Sequence, residues 1–487
     1  MAAETGVVFP ESGEGRRSTA ALGRGVVADA LRPVDPAGAL AAEQETNWRA
    51  GYLTHFRRLV EAGLGSPDDA RAIAAAGLES LHQRMRVALP GGEELPLDRW
   101  ASLPADRELA TAEVRGGGER EEGFSLPYGG TRLRGDALRE RLDRWVEDGV
   151  VEPSAADAVR AVAGHPEWLA LPDRTVVVLG AAAEMGPLTA LLRWGVRVAG
   201  VDLTRPPLWQ RVLETASRGA GTLVVPVSPG TGELADRAGV DLAVDVPAVA
   251  EWLGTLPGRL VLGNYVYADG AANVRVSAAV DALTVRLQRA SPDLGLGFLA
   301  TPTDVFAVPG TAVARSVAKY DRRGTTARLL GRPLRTVSAG RLLRRAYVPG
   351  ADPGVNDSLV AQQGPNYALA KRLQRWRATT ARAAGATVSL NVAPPTRTRS
   401  VVKNRALAAA YAGAHRFDVE VFEPATANVL MAALLVHDLQ TGGGPAHEHP
   451  WQDEAECAVH GGLWTTPYAP RSALGLAALL GYGAART

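Results

Sequence analysis

The stretch Thr175–Leu203, TVVVLGAAAEMGPLTALLRWGVRVAGVDL, decides how this chain is read. It opens on a short run of β-branched and aliphatic residues, turns at Gly180, and returns to a second apolar run that ends in Asp202. That pattern predicts strand, tight turn, helix and strand, with Gly186 opening the helix. Small residues at Gly180, Ala183 and Gly186 would let the backbone approach a pyrophosphate. The amides and dipole of a helix N-terminus would stabilise its charge. Asp202, about 20 residues beyond the turn, is placed to accept hydrogen bonds from ribose hydroxyls. Its charge opposes a 2′-phosphate and favours NAD over NADP, a preference that nearby Arg205 weakens. A purely structural βαβ turn, or the turn of an S-adenosylmethionine methyltransferase, would use the same glycines and acid.

Outward from this stretch the same texture continues. GTLVVPV, RLVLGNYVY, LGLGFLA, ATVSLNVAPP and ECAVHGG are short apolar runs separated by helical stretches, which predicts an α/β fold with a doubly wound parallel sheet over residues 173–487. One segment interrupts the alternation. Residues 308–356 are dense in arginine (Arg315, Arg322, Arg323, Arg328, Arg332, Arg335, Arg341, Arg344, Arg345) and read as an insertion. Its guanidinium groups could clamp an anionic substrate group, or could equally belong to a solvated loop or a subunit-interface arm. Upstream, residues 37–172 are expected to be mostly helical: Ser66 and Pro67 mark a new helix start, and Leu138, Leu142, Trp145 and Val146 share one helical face. Residues 1–36 are expected to be a flexible tail without the apolar core of a secretory signal.

Composition limits the function classes. The chain has 487 residues, 46% of them apolar and 22% charged, with a formal charge of +1. That balance supplies no global field for nucleic acid or an acidic membrane surface, and no apolar run approaches the roughly 18 residues of a membrane span. One cysteine, Cys457, excludes an intramolecular disulfide and a cysteine cage. His437, His447, His449 and His460 are poorly spaced for structural zinc, so no metal is expected. A soluble, cytoplasmic protein is the expectation.

One pair of residues carries chemistry. GPNYALAKRLQRW (Gly364–Trp376) places Tyr367 and Lys371 four apart, on one face of a predicted helix, and Lys371 is one of only three lysines in the chain. A tyrosine phenol has an ordinary pKa of about 10, and an adjacent ammonium favours its phenolate, giving an acid or base usable near neutrality. Arginine would not substitute for so compact a charge.

With these residues together, the segment from about 173 to 465 resembles the short-chain dehydrogenase/reductase superfamily. The glycine turn, the Tyr367/Lys371 pair, and Asn264 where the family has Asn-Asn-Ala-Gly carry the likeness; here that motif reads Gly263-Asn264-Tyr265-Val266. NVAPPTRTRS resembles the family's proline turn, and ECAVHGG its last strand. The family's structural asparagine has no clear counterpart, Asn273 falling early and Asp281 being the wrong residue. The resemblance implies a Rossmann-like fold and an NAD(H)-dependent oxidoreductase that interconverts a secondary alcohol and a ketone. It assigns proton transfer to Tyr367. Lys371 would lower the phenol's pKa and hold the nicotinamide ribose, and Thr301 or Thr303, in FLATPTD, would hold the substrate oxygen. Cofactor contacts are expected at Gly180, Ala183, Gly186, Asp202, Asn264 and Lys371. The partner is expected to be a small carbonyl or alcohol, and the subunits to form a homo-oligomer. Epimerases or dehydratases that use NAD internally, and a non-catalytic nucleotide-binding regulator, share these features.

Overall fold

Seven strands pair into one sheet because six of them are apolar on both faces and must be covered twice. The computed structural model of the chain describes residues 5–11, 15–324, 333–334, 336–443 and 447–483. Strands β1 (Gly6–Val8), β2 (Arg86–Ala88) and β3 (Glu94–Pro96) form a small antiparallel sheet; β4 (Ala110–Arg115) follows, then a hairpin of β5 (Leu126–Tyr128) and β6 (Thr131–Leu133). Next come β7 (Arg174–Leu179), β8 (Arg197–Val201), β9 (Thr222–Val227), β10 (Arg259–Asn264) and β11 (Gly295–Ala300). A second hairpin, β12 (Val305–Val308) with β13 (Gly354–Asp357), precedes β14 (Val388–Val392).

The main sheet has the order β14-β11-β10-β7-β8-β9-β4. Its first six members are parallel and β4 joins antiparallel at the edge. The fold is therefore mixed α/β with a mostly parallel sheet. Along β7, Val176 and Val178 enter one apolar core while Val177 and Leu179 enter another, so each run is buried on both faces. The chain runs outward from β7 through β8 to β9, then returns to place β10 on the other side of β7. The loops after β7 and β10 therefore diverge and leave a crevice at the strand ends.

Four expectations are corrected. The supposed flexible tail contains β1 and the helix Thr19–Leu31, whose Val26, Val27 and Leu31 are fully buried. The sheet is not confined to residues 173–487, since the mostly helical segment 37–172 supplies β4 to it. ECAVHGG is not a strand: Cys457 takes a φ of +55°, which breaks extended backbone, although Val459 still donates to the Val392 carbonyl. Finally, the insertion begins inside a hairpin, and its first residues form the helix Gly310–Asp321. Among the described residues no helix is long and apolar enough to cross a membrane.

The helix Gly364–Ala383, which carries Tyr367 and Lys371, packs on β11 and β14 and on the helices Ala271–Ala290 and Pro67–Arg84. The last of these contacts is close: a Cβ added at Gly77 would lie 2.3 Å from the Trp376 ring. Gly77→Ala is normally favourable in a helix by about 1 kcal/mol. Here it is expected instead to destabilise by about 1–3 kcal/mol through overpacking, read as a lower denaturant midpoint with unchanged slope.

Candidate active site

At the carboxyl ends of β7, β8, β10, β11 and β14 lies a cleft of about 1230 Å³. The strand-end loops bring sequence-distant groups into it: Gly180, Ala183 and Asp202 from one end, Thr301, Tyr367 and Lys371 from the other. Gly180 adopts φ +85°, and a Cβ there would lie 2.8 Å from the Tyr265 carbonyl oxygen, so only glycine fits the turn.

The turn differs in detail from expectation. Gly186 does not open a helix and does not line the cleft; the helix starts at Leu188 and runs only to Arg193. Residues 180–187 form successive tight turns, with the Ala183 amide donating to the Gly180 carbonyl at 2.9 Å and the Gly186 amide to the Ala183 carbonyl at 3.0 Å. Pro187, with no amide hydrogen, stands at the helix cap. Asp202 closes the turn from β8: it accepts from the Ala182 amide at 2.9 Å and the Leu203 amide at 2.8 Å. Burial raises its carboxyl pKa, opposed by those amides and by Arg205 and Arg211. Each carboxylate oxygen retains a lone pair for a further donor.

At the other end Thr301 and Tyr367 both line the cleft, and the Thr301 hydroxyl lies 2.9 Å from the Thr303 hydroxyl. Of the two threonines Thr301 lines the cleft, while Thr303 stands behind it. The Lys371 ammonium donates to the Leu299 carbonyl at 3.1 Å and to Gln374 Oε1 at 3.3 Å. Gln374 passes its own amide hydrogen to Asn264 Oδ1 at 3.4 Å. Asn264 is thus a support beneath the cleft and not part of its lining.

Electrostatics here differ from the expected phenolate–ammonium pair. Burial raises the Tyr367 pKa, with Thr301 the opposing influence. Burial also pushes Lys371 down, to about 8. Desolvation penalises the charged form of both groups, so the phenol keeps its proton and Lys371 stays only partly charged above neutrality.

Sequence reasoning missed four groups. Asp304, three residues after Thr301, accepts from Arg372 at 2.9 Å and Arg375 at 2.7 Å; all three side chains are buried. Gln374 could have been noticed as the i+3 neighbour of Lys371. Tyr267 sits edge-on to Tyr367, ring centroids 6.2 Å apart, and burial followed by its bond to Asp269 raises its pKa to about 12. Tyr411, on the helix Arg405–Gly413, lines the cleft with no sequence signal to mark it.

The described arginines of the insertion do not line the cleft; Arg328, Arg332 and Arg335 lie outside the described residues. Arg315 reaches the Val146 carbonyl, Arg323 lies over the Tyr320 ring and Arg345 pairs with Asp321. Besides Lys371, the cleft's cations are Arg49, Arg205, Arg211, Arg275, Arg399 and Lys403, with Arg399 paired to Glu184 at 2.9 Å. The histidines disperse. His460 bonds Glu152 at 3.1 Å, His447 pairs with Glu456 and His449 caps the helix Pro450–Ala455. His437 groups with Asp438 and Cys457, but one Asp438 oxygen already accepts from Ser389 and Asn391.

No protein-family model matches the chain, and no curated protein matches it.

Two outcomes follow from this geometry. Asp304→Asn leaves Arg372 without its carboxylate, and is expected to cost about 3–5 kcal/mol in denaturant unfolding. Lys371→Met removes a charge whose folded pKa, about 8, lies below its ordinary 10.5. Between those values the unfolded chain binds the extra proton, so wild-type stability rises with pH. The variant should therefore be more stable than wild type at pH 7, and this advantage should shrink steadily from about pH 8 upward, read from unfolding curves at pH 7 and pH 10.

Proposed function

We propose that the chain is an NAD(H)-dependent oxidoreductase of the short-chain dehydrogenase/reductase type, interconverting a secondary alcohol and a ketone. The observation that carries the reading is that Thr301, Tyr367 and Lys371 line the same cleft as the Gly180 turn. Strand order adds support: β9-β8-β7-β10-β11-β14 follows the 3-2-1-4-5-6 order of the Rossmann-like doubly wound sheet, with the cleft at its switch point.

The residues present fit a dinucleotide. A cradle that a Cβ at Gly180 would fill lies at one end, and Asp202 has acceptor capacity for ribose hydroxyls. Gly180, Ala183, Asp202 and Lys371 would hold the cofactor, and Asp202 favours NAD over NADP. When bound, the nicotinamide supplies or takes hydride. Tyr367 holds the proton that a developing alkoxide needs, and its raised pKa keeps that proton in place at neutrality. Thr301 would hold the substrate oxygen. Lys371, with donors spare beyond Leu299 and Gln374, is available to a ribose hydroxyl.

The test is NADH and NADPH oxidation at 340 nm against a panel of ketones, with wild type and Tyr367→Phe. Tyr367→Phe should retain NADH binding and lose about 10²–10⁴-fold in turnover, the usual contribution of a positioned acid. Equal turnover in the variant, or no binding of either nicotinamide, would overturn the reading.

A further inference from the structure

Behind the cleft lies a second pocket, of about 80 Å³, walled by Leu359, Val360, Phe417, Val419, Leu474 and Ala477. Several of its polar neighbours are already engaged by the protein. The Ser358 hydroxyl donates to Asn356 at 2.5 Å, Thr466 to the Phe417 carbonyl at 2.9 Å and Arg471 to Asp357 at 2.8 Å, while Thr303 is engaged with Thr301. A polar ligand entering here would lose its hydrogen bonds to water and find few to replace them, whereas an apolar one loses none.

Two residues join this pocket to the site. Tyr411 lines both cavities, and it shares the lining of the cleft with Tyr367. Thr303 lines the pocket while its hydroxyl sits 2.9 Å from that of Thr301, which lines the cleft. A molecule whose oxygen rests between Thr301 and Tyr367 therefore has this pocket beside it.

We infer that the pocket receives an apolar substituent of the substrate, so that the enzyme acts on ketones or secondary alcohols bearing a short alkyl arm. This rests on the reading of the cleft as a carbonyl site. A water occupies about 30 Å³ of liquid, so the volume suits roughly three carbon atoms. Ala473, also in the lining, and Leu474 lie on the helix Pro470–Gly481 and set the depth.

The experiment measures binding of propan-2-ol through octan-2-ol to the full-length protein by calorimetry, with NADH binding measured separately. Affinity should rise about fourfold for each added carbon, then level off after roughly three. Ala473→Leu, which fills the pocket, should bring the plateau to a shorter chain; Leu474→Ala, which enlarges it, should move it to a longer one. No rise along the series, or a plateau at the same carbon in both variants, overturns the inference. The two claims separate cleanly. Chain-length dependence that responds to both variants without nicotinamide binding supports the pocket and sinks the oxidoreductase reading, whereas Tyr367-dependent turnover with no chain-length response does the reverse.

Discussion

The buried carboxylate of Asp304 holds the candidate site together. It takes Arg372 on one oxygen and Arg375 on the other, and Arg375 forks onward onto Glu454 at 2.7 and 2.6 Å. Burying such charges is costly, and only full pairing with good geometry offsets the loss of water. That condition is met for the Asp304 carboxyl, which Arg372 and Arg375 hold below its usual range against the opposing effect of burial. The consequence is positional. Asp304 belongs to the loop that carries Thr301, and both arginines belong to the helix that carries Tyr367 and Lys371. One ion cluster thus ties the loop to the helix, and Thr301 and Tyr367 line one cleft because it does.

A second clamp fixes the far side of that helix. Arg377 places two donors on Asp281, each at 2.7 Å, and His82 adds a third contact at 2.7 Å. Asp281, paired in this way, thus has a structural task. His82 lies on the helix Pro67–Arg84, whose Gly77 receives the Trp376 ring. The N-terminal helices therefore buttress the helix bearing Tyr367 and send Arg49 to the edge of the cleft. Their sequence carries no chemical signature because their contribution is packing and one exposed cation.

Much of the sheet was legible because a parallel strand buried on both faces must be written as an apolar run, as in TVVVLG and RLVLGN. Edge strand β4 escaped notice: ATAEVR alternates and is largely exposed, so nothing in it demands a sheet. ECAVHGG misled for the converse reason. Cys457, Ala458, Val459 and His460 are buried, and burial in a loop produces the same apolar spelling as burial in a strand. At the site, Tyr367 and Lys371 were readable because their spacing lies within one helix. Asp304 and Tyr411 join the site only once distant segments fold together, and the Asp304 pairs span 68 and 71 residues; Gln374, three residues from Lys371, was within reach of the same spacing argument.

The protonation states follow from dryness more than from pairing. A phenol and an ammonium four residues apart suggest mutual stabilisation of opposite charges, which requires that neither be desolvated. In this cleft burial raises one pKa and lowers the other, so the phenol stays neutral while Lys371, at about 8, keeps its charge at neutrality less firmly than an exposed lysine. The Lys371 charge is spread over a carbonyl and an amide instead of being aimed at the phenol. On the proposed reading this suits proton donation. A carbonyl oxygen that gains negative charge beside Tyr367 and Thr301 would do so where water screens little, and there a held proton and a fixed hydroxyl dipole act most strongly. The same environment penalises a resting phenolate, so withdrawing a proton from an alcohol needs the Lys371 charge more than delivering one to a ketone does. Reduction is accordingly the direction in which this arrangement of groups asks least of its lysine.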